Sequence, residues 1–276
     1  MVHMRLVHNQ IQNFQDFIWD FYARNRRDFA WREVNDPYKV VVSEFMLQQT
    51  QTYRVAPKFE FFVRELPNFE ALAHVPLRDL LRLWQGLGYN RRALFLQKSA
   101  QKVVIEYAGL LPADPEILVT FPGIGKATAG SICAFAFNMP TVFIETNIRA
   151  VFIHSFFRDK KTVSDAEIMP LIEQTLPIDN SREWYYALMD YGVMLKQQCA
   201  NPSRKSAHHT LQSRFEGSNR QIRGAIVRLL TKNQSMTEPA LVQVLAKDAD
   251  RVEKIIEQLC SEGFLKRVRN LLKIAE

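Results

Sequence analysis

The sequence predicts a mainly α-helical protein that ends in a small module of different character. Three observations carry this. Apolar residues recur at helical spacing in one segment after another. Proline and glycine punctuate those segments. Strand-like alternation is not sustained anywhere before residue 195, and no internal repeat is visible.

The totals agree. A chain of 276 residues, 47% hydrophobic and 24% charged, can bury a core in one or two domains plus an appendage. No apolar run is long enough to span a bilayer and no charged–apolar–small leader opens the sequence, so no membrane partner is expected. Cys133, Cys199 and Cys260 lie far apart. They suit a reducing compartment, the cytoplasm, and offer neither a disulfide framework nor a four-thiolate metal site.

The net charge of +7 is unevenly placed. Residues 1–195 hold 21 Lys/Arg and 21 Asp/Glu, and residues 233–276 hold seven of each. Residues 196–232 hold eight Lys/Arg against Glu216 alone, so the whole surplus sits in one connecting stretch. Such a patch, with Arg204, Lys205, Arg214, Arg220 and Arg223, reads as a nucleic-acid footprint or as a solvated linker.

In chain order, Ile11, Phe14, Phe17, Ile18, Phe21 and Tyr22 give residues 10–26 a helical rhythm. A basic end leads to Asp28-Phe29-Ala30-Trp31-Arg32, and Asn35-Asp36-Pro37 marks a turn and a helix start. The helix over 38–50 packs Val41, Val42, Phe45 and Met46 inward, with Glu44 beside that band. A partly buried carboxyl there holds its proton toward neutral pH, as a general acid must; a solvent-facing glutamate is the commoner case. Residues 53–65 and 68–83 are further helices, broken at Pro67 and Pro76. Gly86-Leu87-Gly88-Tyr89-Asn90-Arg91-Arg92 is either an aromatic, cationic turn that stacks a ring on a base or a helix end with Tyr89 in the core. Residues 91–107 form another helix.

Phe121-Pro122-Gly123-Ile124-Gly125-Lys126-Ala127-Thr128-Ala129-Gly130 is a glycine turn running into a helix. Gly123 and Gly125 can adopt positive φ, and backbone N–H groups at such a turn cradle an anion. An ordinary helix–helix turn is the other reading. After Val142-Phe143-Ile144, Glu145 and Asn147 open a helix to Phe157, where capping alone accounts for them. Two more helices cover 164–176 and 181–195. Residues 196–218 are polar, and His208-His209 there is a surface pair with no metal-ligating company. Helices over 219–232, 237–247 and 249–262, then a hairpin around Asn270, make a winged-helix-like module over 216–276.

Taken together, these motifs resemble the helix-hairpin-helix DNA glycosylases, most closely the adenine-specific mismatch (MutY-type) branch. The resemblance covers roughly residues 10–195. It rests on Trp31-Arg32, Pro37-Tyr38-Lys39-Val40, Ser43-Glu44-Phe45-Met46-Leu47-Gln48-Gln49-Thr50-Gln51, Leu83-Trp84-Gln85-Gly86-Leu87-Gly88-Tyr89, the glycine hairpin, Glu145-Thr146-Asn147 and Met189-Asp190-Tyr191-Gly192. It implies a six-helix subdomain over 28–140 carrying the hairpin, and a second helical subdomain joining 1–27 to 141–215. By motif, Glu44 would protonate the leaving purine, Glu145 would stabilise or attack the cationic sugar, and Asn147 would support that carboxylate. Gln48, Gln49 and Tyr89 would fill the stack left by an extruded base. Trp31 and Arg32 would border the base pocket. Gly123, Ile124, Gly125 and Lys126 would hold a phosphate of double-stranded DNA.

Four departures from the family pattern sharpen the expectation. Ala127 stands where lyase-active members carry lysine, so base removal without strand cleavage is expected. Cys199 alone follows the Met-Asp-x-Gly block, so no iron–sulfur cluster and no other cofactor is expected. Glu145 replaces an aspartate, which moves the carboxylate by about 1.5 Å, one C–C bond. The domain with which adenine-specific members read 8-oxoguanine is replaced by the winged-helix-like tail. The expected protein is a monomeric, monofunctional glycosylase of base excision repair, in the cytoplasm at the nucleoid. It would hydrolyse the N-glycosidic bond of a flipped base, adenine opposite guanine or 8-oxoguanine. Two alternatives stay open: a uracil, thymine or modified-pyrimidine glycosylase, and a catalytically silent DNA-binding protein.

Overall fold

The structure, a computed structural model, describes residues 4–33, 36–211 and 214–275. Asn35, read from the sequence as part of a turn, lies outside them. The helices up to the middle of the chain are α1 (His8–Asn25), α2 (Pro37–Leu47), α3 (Thr52–Glu65), α4 (Phe69–His74), α5 (Leu77–Leu83), α6 (Arg91–Glu106), α7 (Pro115–Leu118) and α8 (Lys126–Phe137). There follow α9 (Thr146–Phe156), α10 (Asp165–Thr175), α11 (Ser181–Gln198), a 3-10 helix (Pro202–Lys205) and α12 (Asn219–Asn233). The chain closes with β1 (Ser235–Thr237), α13 (Glu238–Leu245), α14 (Ala249–Ser261), β2 (Leu265–Val268) and β3 (Leu271–Ile274).

Two compact units emerge. One combines residues 1–44 with 112–211, the other residues 45–111 with 212–276. These are not the boundaries of 28–140 and 141–215 drawn from the sequence. The reason is aromatic packing. Phe135 of α8 stacks on Tyr186 of α11 at 4.6 Å and meets Phe143 edge-on at 6.0 Å. Residues 112–140 therefore group with α9 and α11.

In the first unit, α1 buries Phe14, Ile18 and Tyr22, a stripe at i, i+4 and i+8. That stripe meets Phe152 and Trp184 in an aromatic cluster. α8 is buried along Ala129–Ala136, which its unbroken run of small and apolar residues requires. It ends at Asn138, in the left-handed region at φ 55°. The Asn138 side chain donates to Asp179 O and accepts from Arg182 N, both at 2.9 Å, fixing the start of α11. The polar stretch after α11 is tied down too: Val163 N donates to Lys205 O and Ala207 N to Val163 O, each at 2.9 Å.

In the second unit, Val55, Phe59, Phe62, Leu72, Leu80 and Trp84 form the buried centre of α3 to α5. The tail has the three helices and the hairpin read from its sequence, with Arg269 taking a positive φ of 58° at the turn. One strand went unread. β1 pairs antiparallel with β3, and β3 with β2, giving the order β1-β3-β2. Three residues are too few to show an alternation.

Candidate active site

Glu44 lies on α2 among the buried residues Val40, Val41, Phe45 and Met46. Ser131 Oγ, on α8, is 2.5 Å from Glu44 Oε2 and 3.0 Å from Thr128 O. Burial pushes the Glu44 carboxyl up to about 7; the charge of Glu145 adds to the rise and the Ser131 bond opposes it. A hydroxyl has one proton to give. When Glu44 is protonated it donates to Ser131 Oγ, and Ser131 donates onward to Thr128 O. When Glu44 is ionised, Ser131 must turn to it. The sequence carries no signal for Ser131, whose link to Glu44 spans 87 positions.

Glu145 is the N-cap of α9. Its Oε1 accepts from Asn147 N at 2.6 Å and Ile148 N at 2.8 Å, and its Oε2 accepts from Asn147 Nδ2 at 3.1 Å. One carboxylate oxygen thus caps α9 while the other is held by the Asn147 side chain. Burial raises its pKa, while the backbone N–H groups, Lys196 and Arg149 oppose the rise. Arg149 is itself paired with Asp165 at 2.7 Å. Asn147 Oδ1 accepts from Lys196 Nζ of α11 at 2.7 Å. The two acids, a hundred residues apart along the chain, thus come close enough to influence each other's charge.

Two glycines permit this approach. A Cβ on Gly130 would stand 2.9 Å from Phe143 Cβ, and one on Gly192 would stand 2.5 Å from Asn147 O. α8 and α11 can come this close to the segment around Glu145 only because both positions lack a side chain.

Trp31 is buried and stacks on Phe29 at 4.6 Å. Arg32 is also buried, and its guanidinium meets Asp190 with two bonds of 2.8 Å while lying 4.4 Å from the centre of the Tyr186 ring. Arg27 adds a 2.6 Å bond to the same carboxylate. Asp190, 2% exposed, therefore holds two arginines and explains its place in the Met-Asp-x-Gly block. Arg32 is engaged by Asp190, and its aliphatic stem and stacked plane are what it offers elsewhere.

At the hairpin, Gly123 takes φ 77°, as a tight turn demands. Gly125 does not; it is the extended N-cap of α8 at φ −91°. No side chain caps that helix, and a Cβ at Gly125 would meet nothing within 4 Å. Ile124 is buried, while Gly123, Gly125, Lys126 and Ala127 are exposed. The first turn of α8, exposed and without a capping side chain, thus lies beside a cation, the makings of an anion site.

In the second unit, Gln49 and Tyr89 both occupy the left-handed region, at φ 52° and 47°. This backbone is unfavourable for side chains of that size. Arg92, 7% exposed, holds both segments. Its NH1 donates to the carbonyls of Phe45, Met46 and Gln48 at 2.8, 2.8 and 2.6 Å. Its NH2 donates to Thr50 Oγ1 at 2.9 Å and to Leu87 O and Gly88 O at 3.1 Å. Burial pulls the Arg92 pKa down to about 10. The sequence marked Arg92 only as a turn cation.

The basic stretch divides between the units. Lys205 Nζ donates to Arg158 O at 2.6 Å, and Arg204 is exposed. Arg214 is exposed, whereas Arg220 bonds the Tyr89 hydroxyl and lies 5.5 Å over its ring. Arg223 is paired with Glu262 at 2.5 Å, a partner outside the stretch. A cavity of about 700 Å³ opens between the Gly86–Asn90 turn and α12, with Arg54, Arg228 and Lys247 among its lining.

No group of three or more His, Cys, Asp or Glu among the described residues could hold a metal ion. The three thiols do not fit a four-cysteine cluster. Cys133 is buried in α8, Cys199 is exposed at the end of α11, and Cys260 lies on α14 of the other unit. No helix of the described residues is long and apolar enough to cross a membrane.

Comparison with known proteins gives the family. A model described as HhH-GPD superfamily base excision DNA repair protein matches residues 42–176. An adenine DNA glycosylase of Buchnera aphidicola subsp. Baizongia pistaciae is 33% identical over 184 residues, 66% of this chain and 52% of that protein. The chain thus spans about half of that relative's length. An adenine DNA glycosylase of Mycolicibacterium smegmatis is 28% identical over 268 residues, 90% of each chain. The structure of a thermostable thymine-DNA glycosylase superposes with a TM-score of 0.63 at 23% identity, over 71% of this chain and 92% of that one. Glu44, the hairpin and Glu145 all fall within the matched span. The chain belongs to the HhH-GPD superfamily of base excision DNA repair proteins.

Proposed function

We propose that the protein is a DNA glycosylase that removes adenine from mispaired duplex DNA by hydrolysing its N-glycosidic bond. One observation carries the reading: two half-buried carboxyls share a neighbourhood and differ in their partners. Glu44 keeps its proton toward neutral pH, with Ser131 as its hydrogen-bond partner. Glu145 receives three N–H donors, the company of a carboxylate. Environments that separate two acids in this way assign an acid and a charge stabiliser.

In this mechanism the base is first extruded from the stack. Glu44 gives its proton to a ring nitrogen of the base. The C1′–N bond breaks and its electron pair leaves with the neutral base. The sugar passes through an oxocarbenium-like state, which the Glu145 carboxylate stabilises, and water adds at C1′ as its surplus proton passes to the Glu44 carboxylate and restores the acid. The hairpin and the exposed first turn of α8 grip a phosphate. Ala127, exposed on that turn, offers no amine for a Schiff base, so base loss occurs without strand cleavage. The chain works without an iron–sulfur cluster. Adenine is favoured by the block from Glu44 to Gln51 and by relatives named adenine DNA glycosylases. The helix–strand–helix–helix–strand–strand order of residues 219–274 supports a winged-helix-like module.

The test is a panel of duplexes bearing each mismatch and common lesion, cleaved with alkali after incubation. Adenine loss opposite guanine or 8-oxoguanine, dependent on alkali for strand breakage, is the expected result. Glu44→Gln should lower single-turnover excision by at least about a hundredfold, the scale of a general acid, with duplex binding retained. Undiminished excision by that variant refutes the acid role. Loss of uracil or thymine alone transfers the reading to pyrimidines.

A further inference from the structure

Lys196 has no part in the readings above, yet it bonds directly to the group that supports Glu145. It sits half-buried in the last turn of α11, and its Nζ is 2.7 Å from Asn147 Oδ1. An ammonium only donates, and a side-chain amide has one accepting end. With Oδ1 taken by Lys196, the amide must present Nδ2 to Glu145 Oε2, where it stands at 3.1 Å. The direction of donation therefore runs one way, from Lys196 through Asn147 to Glu145.

Packing explains why the lysine can reach. Gly192 precedes Lys196 by four residues, so the two share a face of α11. At Gly192 that face lies against the Asn147 backbone so closely that a Cβ would stand 2.5 Å from its oxygen. The same close approach brings Lys196 to the Asn147 side chain one turn later.

We propose that Lys196 is a positioning residue of the excision reaction, clamping the Asn147 amide so that Glu145 is held in a single orientation. This rests on the glycosylase reading. The geometry also answers the longer side chain of Glu145. An extra methylene adds a rotatable bond, and three N–H donors, one of them steered by Lys196, remove that freedom. The charged groups around Glu145 are Lys196 on α11, Arg149 on α9, Asp165 of α10 as the partner of Arg149, and Glu44 on α2. Arg149 is compensated by Asp165 and Glu44 is protonated toward neutrality. Lys196 is thus the cation whose removal Glu145 would feel most directly.

The experiment compares the full chain with Lys196→Met and Lys196→Arg, each checked for an unchanged melting temperature. Three readouts are needed: single-turnover excision, duplex affinity, and titration of the Glu145 side-chain carboxyl by carbon NMR in the free protein. For Lys196→Met the expected result is a loss of about a hundredfold in rate, the scale of an ångström-sized misplacement, with affinity within about threefold. The Glu145 titration should move to higher pH, and so should the acid limb of the rate profile. Lys196→Arg, still a donor and a cation, should recover most of the rate. An unaltered rate and titration in Lys196→Met overturn the proposal. So does trapping of DNA by borohydride that depends on Lys196, which would make it a nucleophile instead. If the wild type excises no base, an upward titration shift still supports the clamp while the glycosylase reading fails; excision with no shift and no rate loss fails the clamp alone.

Discussion

Glu44 sets the pH behaviour of the protein at the scale of a single residue. An exposed glutamate titrates near 4.5, and burial moves this one to about 7. Between those values the folded chain holds a proton that the unfolded chain has lost. Stability therefore falls as pH rises from about 4.5 to 7 and stays lower above it. The difference corresponds to about 3 kcal/mol at pH 8. Glu44→Gln removes that cost, so the variant should be more stable than the wild type at pH 8 by up to this amount, with the gap closing below pH 4.5. Denaturant unfolding at the two pH values measures it; equal gaps at both would mean that Glu44 is not desolvated. The excision rate should fall along the same titration, because the acid form is the one that donates. The sequence exposed part of this. Glu44 beside an apolar band is legible as a candidate acid from spacing alone. Ser131 is not, because its link to Glu44 spans 87 positions and exists only once α8 lies against α2.

Elements carry the next level of argument, and Arg92 shows why. Its six acceptors include five backbone carbonyls, at the end of α2 and in the Gly86–Asn90 turn. Carbonyl acceptors leave no trace in a sequence, so the segments around Gln49 and Tyr89 were readable but their clamp was not. A guanidinium is suited to this position: its planar fork reaches acceptors on two sides, and its charge faces the C-terminal end of a helix. Lysine has three donors at one point and cannot serve both segments. Arg92→Lys should therefore destabilise the protein by about 3 kcal/mol, the range for breaking a buried charged network, and weaken duplex binding as Gln49 and Tyr89 relax from their left-handed backbones. The neighbour Arg91 is the control. It pairs with Glu262 at a half-exposed surface, and Arg91→Gln should cost less than about 1 kcal/mol. Equal losses for the two would contradict the clamp. β1 makes the same point for strands, since its three residues form a strand only because β3 is there to pair with them.

Across the whole molecule, the surplus of positive charge between residues 196 and 232 is the feature most plainly written in the sequence, and the structure changes which of its members matter. Charge counts treat every cation alike, but release of counterions from DNA depends on cations that lack a carboxylate of their own. Glu262, thirty residues beyond the stretch, pairs with Arg223 as well as with Arg91. Arg204, Arg214 and Arg228 are exposed and have no carboxylate partner among the described residues. Each phosphate contact contributes about 0.9 to the slope of log affinity against log salt. Replacing Arg204, Arg214 and Arg228 together by glutamine should therefore flatten the slope for duplex DNA by about two to three. Arg223→Gln alone should leave the slope nearly unaltered, and its cost should appear as a modest loss of stability, because Glu262 keeps Arg91 as a partner. Binding isotherms from 50 to 200 mM salt decide the matter. A slope that responds to Arg223 as strongly as to the other three would place Glu262 away from the bound DNA's field, with its pairing broken on binding; a slope indifferent to all four would make residues 196–232 a solvated linker.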